Sequence, residues 1–158
     1  MEIIRQLDGE EAKFVAEILQ YPMAVAIIEI RISTVGQAGY LPYATHVMNY
    51  SDDEDPNVKL VDKRLAAMVD NWIRLGLVEV FYDRRLSHDH YYEWVESRPE
   101  VIEARRICAD GKQSMEIVKG TVRQTSFGRQ FAIAVGLLPA APPAIADPAA
   151  APAPRHDP

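Results

Sequence analysis

The sequence predicts an α+β fold of winged-helix type, and two matched signals on either side of a charged insertion predict it. The run Trp72-Ile-Arg-Leu-Gly-Leu-Val78 ends a helix and opens a strand, while Thr121-Val-Arg-Gln-Thr-Ser-Phe-Gly128 closes a strand and opens a helix. A helix, a two-stranded ribbon and a second helix joined in that way are the ingredients of a winged-helix-like domain. With 158 residues and a 48% apolar fraction, the chain has the mass for a single domain with a substantial core.

The first helix is expected over residues 7–19. Asp8 is placed to cap it, Glu10 and Glu11 bring negative charge to its first turn, and Leu7, Phe14, Val15, Ile18 and Leu19 fall on one side. Tyr21-Pro22 ends it, because a residue before proline is pushed out of the helical region. Residues 23–32 are rich in β-branched side chains and read as a strand with one face buried and the other partly covered. From residue 33 to 57 the signals change to Gly36, Gly39, Pro42, the acidic run Asp52-Asp-Glu-Asp55 and Pro56. That punctuation predicts mostly loop, with room for a short helical turn in residues 40–50.

The clearest helix spans residues 58–75, where Val58, Val61, Leu65, Met68, Val69 and Trp72 share a side, and Gly76 stops it. Residues 78–82 then read as one ribbon strand and residues 115–123 as its partner, with Gly120 marking a bulge. The insertion between them contains a helix that starts at Pro99, runs to Cys108 and is followed by Gly111. Thr125 caps the last helix, which presents Phe127, Phe131, Ala134 and Leu138 as its buried stripe, and Gly128 lets that helix approach the ribbon closely. The globular domain therefore covers residues 1–138. Residues 139–158 are almost wholly Pro and Ala with Ile145 as the one aliphatic side chain, which predicts a disordered or polyproline-like tail.

A net charge of -6 argues against a generic polyanion binder, since nonspecific nucleic-acid affinity comes from Lys and Arg displacing phosphate counterions. Any such contact has to be local. The single cysteine, Cys108, excludes an intramolecular disulfide and a zinc site of several thiolates, and it suits a reducing cytoplasm. No signal-peptide pattern opens the chain, and residues 23–32, its most apolar run, are too short for a membrane span and carry Glu29 and Arg31. The expectation is a cytoplasmic protein without a membrane segment.

Candidate sites divide by chemistry. For nucleic acid, the outward face of the 58–75 helix offers Lys63 and Arg74, and Arg84-Arg85 fall where a wing tip would place them. Asp70 opposes that reading, because it would repel a phosphate backbone and is spaced to pair with Arg74. For protein contacts, Tyr91, Tyr92 and Trp94 form an aromatic group of interface type, of which a period-2 strand would expose at least one tyrosine. His88-Asp-His90 with Glu93 has metal-ligand chemistry but no second cluster to complete a site, and no metal or cofactor is expected. Thr125, Ser126 and His46 supply hydroxyls and an imidazole without the strained glycine-flanked elbow of a nucleophile, so no catalytic residue is assigned. The readings that remain are a non-enzymatic interaction or regulatory module with a protein partner or a second copy, then a DNA-binding regulator, then an enzyme whose site is unrecognised.

One resemblance sharpens this. The helix ending Leu75-Gly76-Leu77-Val78, the charged insertion, the later Thr125-x-Phe127-Gly128-x-x-Phe131 and the early Leu7-Asp8-x-Glu10-Glu11-Ala12 together resemble the bacterial Abi-alpha (abortive infection alpha) family. The resemblance runs over roughly residues 1–136 and is to the family's carboxy-terminal portion, with further helical sequence upstream in its members. It implies a setting of phage defence, in which an infected cell is sacrificed or arrested, and attaches no defined chemistry to the domain.

Overall fold

The computed structural model describes residues 6–49 and 64–139. In chain order these form α1 (Gly9–Gln20), β1 (Val25–Thr34), β2 (Leu41–Val47), α2 (Leu65–Arg74), β3 (Val78–Phe81), a 3₁₀ segment (Asp89–Ser97), α3 (Pro99–Ile107), a 3₁₀ turn (Cys108–Asp110), β4 (Gln113–Gln124) and α4 (Ser126–Ala134). The strands make one antiparallel sheet in the order β2-β1-β4-β3. The class is α+β, as expected. The ribbon of β3 and β4, however, is one flank of a larger sheet, because β4 also pairs with β1 from Val25↔Val122 to Thr34↔Gln113.

Strand β1 carries this arrangement because it is apolar on both faces. Ile27 joins Val15, Leu19, Val69, Trp72 and Val122 in a core under α1, α2 and α4. Ala26, Ile28, Ile30 and Ile32 point the other way, into a second core with Tyr92, Val95, Val101 and Ala104 from the insertion. The insertion is thus the second cover of the sheet, and the molecule has three layers. Burying a side chain of Ile or Val size contributes about 1.5–3 kcal/mol, so a strand that serves two cores dominates the energetics.

Several local expectations are met. The Asp8 carboxylate accepts from the N–H groups of Glu10 and Glu11 at 3.0 and 2.7 Å. Thr125 accepts from the Gly128 N–H at 2.8 Å, and Pro99 occupies the first turn of α3. Gly76, at φ +72°, closes α2 and turns the chain into Leu77, whose N–H reaches back to the Trp72 carbonyl at 2.9 Å.

Other expectations need correction. Residues 41–47 are a strand rather than loop: Tyr43, Thr45 and Val47 favour extended backbone, and Pro42 is tolerated because β2 is an edge. Gly120 is not at a bulge in the β1–β4 ladder, which runs through it in register opposite Ile27, and the β3–β4 ladder ends one residue before it at Phe81↔Thr121. Its role is space: a Cβ there would lie 2.5 Å from the Phe81 carbonyl oxygen and 2.6 Å from Tyr82 Cδ1. In α4 the fully buried positions are Gly128 and Ala132; of the expected stripe Phe131 and Leu138 pack partly buried against the core, while Phe127 is 47% exposed and Ala134 faces out. Tyr91, Tyr92 and Trp94 lie on a 3₁₀ segment rather than a strand. Residues 58–63 of the expected long helix, Lys63 among them, and residues 140–158 of the expected tail lie outside the described residues.

Gly128 does bring α4 against the ribbon, because a Cβ there would collide with the Leu77 carbonyl. Gly128→Ala should therefore destabilise the protein by about 1–3 kcal/mol. Gly9→Ala, in open space at the start of α1, should be neutral or slightly stabilising; urea denaturation of the two variants side by side checks both.

Candidate interaction site

The two covers of the sheet leave a gap where the end of α1 faces the 3₁₀ segment. On one side Tyr21 leaves the helix in an extended conformation ahead of Pro22, which projects Tyr21 and Met23 outward at 60% and 71% exposure. On the other side stand Tyr91, 42% exposed, and Trp94. Ile18, Met48 and Leu86 help floor a cleft of about 540 Å³. Large apolar side chains gathered around one concavity are a feature of contact surfaces, whereas isolated exposed ones are ordinary.

The aromatic wall is held from beneath. Tyr92 is 3% exposed, donates its O–H to the Gly120 carbonyl at 2.8 Å and accepts the Leu86 N–H at 3.0 Å. Trp94 Nε1 donates to the Tyr91 carbonyl at 2.7 Å, which fixes the indole beside its neighbour. The rings of His90 and Tyr91 lie 4.0 Å apart and those of His88 and His90 5.6 Å apart, extending the wall into solvent. At the base of the segment Lys119 Nζ donates to Asp89 at 3.2 Å and holds that carboxyl below its ordinary range. Of the three aromatics singled out for protein contact, Tyr91 and Trp94 reach the cleft, and Tyr92 is its anchor in the core. Tyr21 and Met23 were missed, because Tyr-Pro read as a helix stop and nothing local showed that the insertion returns to face it.

The basic candidates are dispersed. Arg74 donates to the Asn71 side chain at 2.7 Å and to Gln6 at 2.9 Å, tying α2 to the approach of α1. Its expected partner Asp70 instead accepts from His46 at 3.2 Å. Arg84 and Arg85 are exposed in the loop after β3, with the Arg84 guanidinium 4.6 Å from the centre of the Phe81 ring. Among the described residues no group of three His, Cys, Asp or Glu side chains gathers as a metal site requires. Cys108 is a partly exposed free thiol packed against the second core.

A polar chain crosses the helix-covered face of the sheet. The Tyr82 ring approaches Gly120, and its hydroxyl reaches His46 on β2, accepting the backbone N–H at 3.2 Å and sharing a hydrogen bond with Nδ1 at 3.0 Å. Because the Asp70 carboxylate can only accept, the 3.2 Å bond to it takes a proton on Nε2, which in a neutral imidazole leaves Nδ1 to accept from the Tyr82 hydroxyl. His46 has φ +55°, alone among the described non-glycine residues, and the two bonds from Tyr82 hold it in that conformation. Burial is the main cause that pushes the Tyr82 phenol up to about 12, against the opposing hydrogen bond from His46.

The fold and site define a mixed α+β protein with an antiparallel sheet covered on both faces and an apolar cleft at the seam of the two covers. Comparison with known proteins gives its kin: a family model described as abortive infection alpha matches residues 1–135, and the chain belongs to that family. No curated protein matches it. Among solved structures, an uncharacterized protein from the hydrocarbon-degrading marine bacterium Alcanivorax borkumensis SK2 is similar at 20% identity and a TM-score of 0.44, over 82% of this chain and 87% of that one. Among the described residues no helix is long and apolar enough to cross a membrane.

The raised phenol should make Tyr82 ionise near pH 12 in an alkaline absorbance titration, and Tyr82→Phe should remove that step. Its folded pKa lies above the unfolded value of about 10, so its contribution to stability is complete below that pH and is lost as pH rises towards 12. At neutral pH, Tyr82→Phe strands the His46 N–H and Nδ1 and should cost about 1–3 kcal/mol by denaturant titration.

Proposed function

We propose that this protein is a non-enzymatic interaction module of a bacterial phage-defence response, acting in the cytoplasm through protein contacts at the cleft between Tyr21, Met23, Tyr91 and Trp94. The observation that carries this reading is that exposed Tyr21, Met23 and Tyr91 gather with Trp94 around one cleft at the seam of the two covers. Family membership supplies the abortive-infection setting. Binding at the cleft would take an apolar anchor of the partner, since the polar groups of Tyr92 and Trp94 are already engaged within the chain.

The test is a phage challenge of cells carrying wild type, Met23→Glu or Trp94→Ala, with thermal melts of the purified variants. Loss of protection with an unchanged melting temperature for Met23→Glu is expected, because Met23 is exposed and gives up no core contact. Removing a tryptophan anchor at an interface costs about 2 kcal/mol or more, roughly a thirtyfold loss of affinity. Protection that survives both substitutions would overturn the reading.

A second reading, a nucleic-acid-binding regulator of winged-helix type, draws on the exposure of Arg84 and Arg85 beside Arg123, whose guanidinium also approaches the Phe81 ring at 5.3 Å. It is checked by fluorescence anisotropy against duplex DNA and single-stranded RNA at low and physiological salt. If these arginines meet phosphates, replacing both with alanine should reduce the salt slope by about two; absence of binding at low salt would set this reading aside.

A further inference from the structure

We propose that the stretch Pro148-Ala-Ala-Ala-Pro-Ala-Pro154 of this chain docks in the cleft between Tyr21, Tyr91 and Trp94 and occupies it until a partner displaces it. Such a contact rests on the reading of the cleft as the contact site, and makes the stretch an internal competitor for it.

The chemistry of the two matches. The cleft has aromatic rings on both walls and a single charged lining residue, Glu17. Residues 148–154 carry only prolines and alanines, with no charge and no polar side chain. Aromatic-lined grooves are a recurrent seat for proline-rich segments, because a chain that favours polyproline II loses little entropy when it docks. A polyproline II backbone makes no internal hydrogen bonds, so its carbonyls call for outside donors. Tyr21 and Tyr91, one on each wall, have hydroxyls that make no hydrogen bond among the described residues and can serve as those donors.

The stretch is also within reach. Gln124 Nε2 donates to the Tyr21 carbonyl at 3.0 Å, so α4 starts beside the cleft wall. Its nine residues make about 14 Å of helix, after which the N–H groups of Leu137 and Leu138 fold back to the Ala132 carbonyl at 2.8 and 3.2 Å. Pro139 therefore stands within about 25 Å of Tyr21. As polyproline II, residues 139–147 span about 28 Å, which brings Pro148 to the cleft without full extension. A tether this short sets a local concentration of about 1 mM, so even a millimolar contact keeps the cleft about half covered. An outside partner lacks that advantage, and its apparent affinity falls by the fraction of cleft left open.

The experiment reads Trp94 in the full chain. Trp72 is fully buried, so acrylamide quenching of tryptophan fluorescence reports on Trp94. Wild type is compared with Pro148→Glu/Pro152→Glu, whose charges an apolar cleft rejects, and with the same pair in a Met23→Glu background. Quenching should rise about twofold when the pair is introduced into wild type, as release of a half-covered site requires. A synthetic peptide of residues 146–156 at millimolar concentration should reverse the rise. In the Met23→Glu background the pair should add nothing, because the seat is already spoiled. Melting temperatures should not move, since residues 148 and 152 lie outside both cores and Met23 is 71% exposed. Equal quenching in wild type and the tail variant overturns the proposal, whether or not the cleft is needed for protection against phage. So does a difference that appears only as protein concentration rises, which would place the stretch on a second copy. Protection that survives Met23→Glu while the quenching difference stands would remove the partner reading and leave the stretch seated in its own cleft.

Discussion

Everything in this molecule depends on β1 being buried on both faces and paired along both edges. Ile27, Ile28 and Ile30 are fully buried, yet they belong to two different cores. A strand in that position cannot alternate apolar with polar residues, and it does so only at its far end, where Glu29 and Arg31 meet in an ion pair at 2.5 Å beside the Tyr40 ring. Covering the second face is the task of the insertion, and Tyr92 anchors that cover by spending its hydroxyl on the Gly120 carbonyl and the Leu86 N–H. The cleft is what remains where the two covers stop short of each other.

Much of the fold was legible because its signals are local. Asp8 and Thr125 cap the helices they precede, Gly76 ends α2, and the stripe Leu65, Met68, Val69 and Trp72 is buried as its spacing requires. What was not legible depended on residues distant in sequence. The edge strand β2 is punctuated by Gly36, Gly39 and Pro42, and only its pairing with β1, through two register irregularities, makes it a strand. Tyr91 and Tyr92 were read with period two, but the segment adopts a 3₁₀ conformation in which Tyr92 turns its hydroxyl to the Gly120 carbonyl on β4, a partner 28 residues away in sequence. Half of the cleft could be named from sequence, Tyr91 and Trp94; the other half, Tyr21 and Met23, could not, since its meaning comes from what stands opposite.

Two glycines show how close approach outweighs propensity. Gly120 lies within a long strand, where a glycine weakens pairing, and is needed because the Phe81 carbonyl oxygen and the Tyr82 ring occupy the space of a side chain. Gly128 lies within a helix, where alanine would be favoured, and is needed because the Leu77 carbonyl occupies the space of a side chain. In both cases the gain is a polar connection across layers: Tyr82 to His46 and Asp70 in the first, Thr125 to the turn after α2 in the second.

The pairing of β1 with β4 also governs the order in which the chain can fold. Val25 finds its partner in Val122, and Ile27 lies opposite Gly120. Most of the chain must be synthesised before the central strand acquires that neighbour, and loop closure over such a separation costs entropy before any contact offsets it. On the ribosome, β1 would therefore wait with Ile27, Ile28 and Ile30 uncovered, apart from what the β1–β2 hairpin shields, until β4 clears the exit tunnel. Until then that apolar strand is surface of the kind chaperones shield, and the core under α1, α2 and α4 closes only after the last strand, when α4 brings in Ala132.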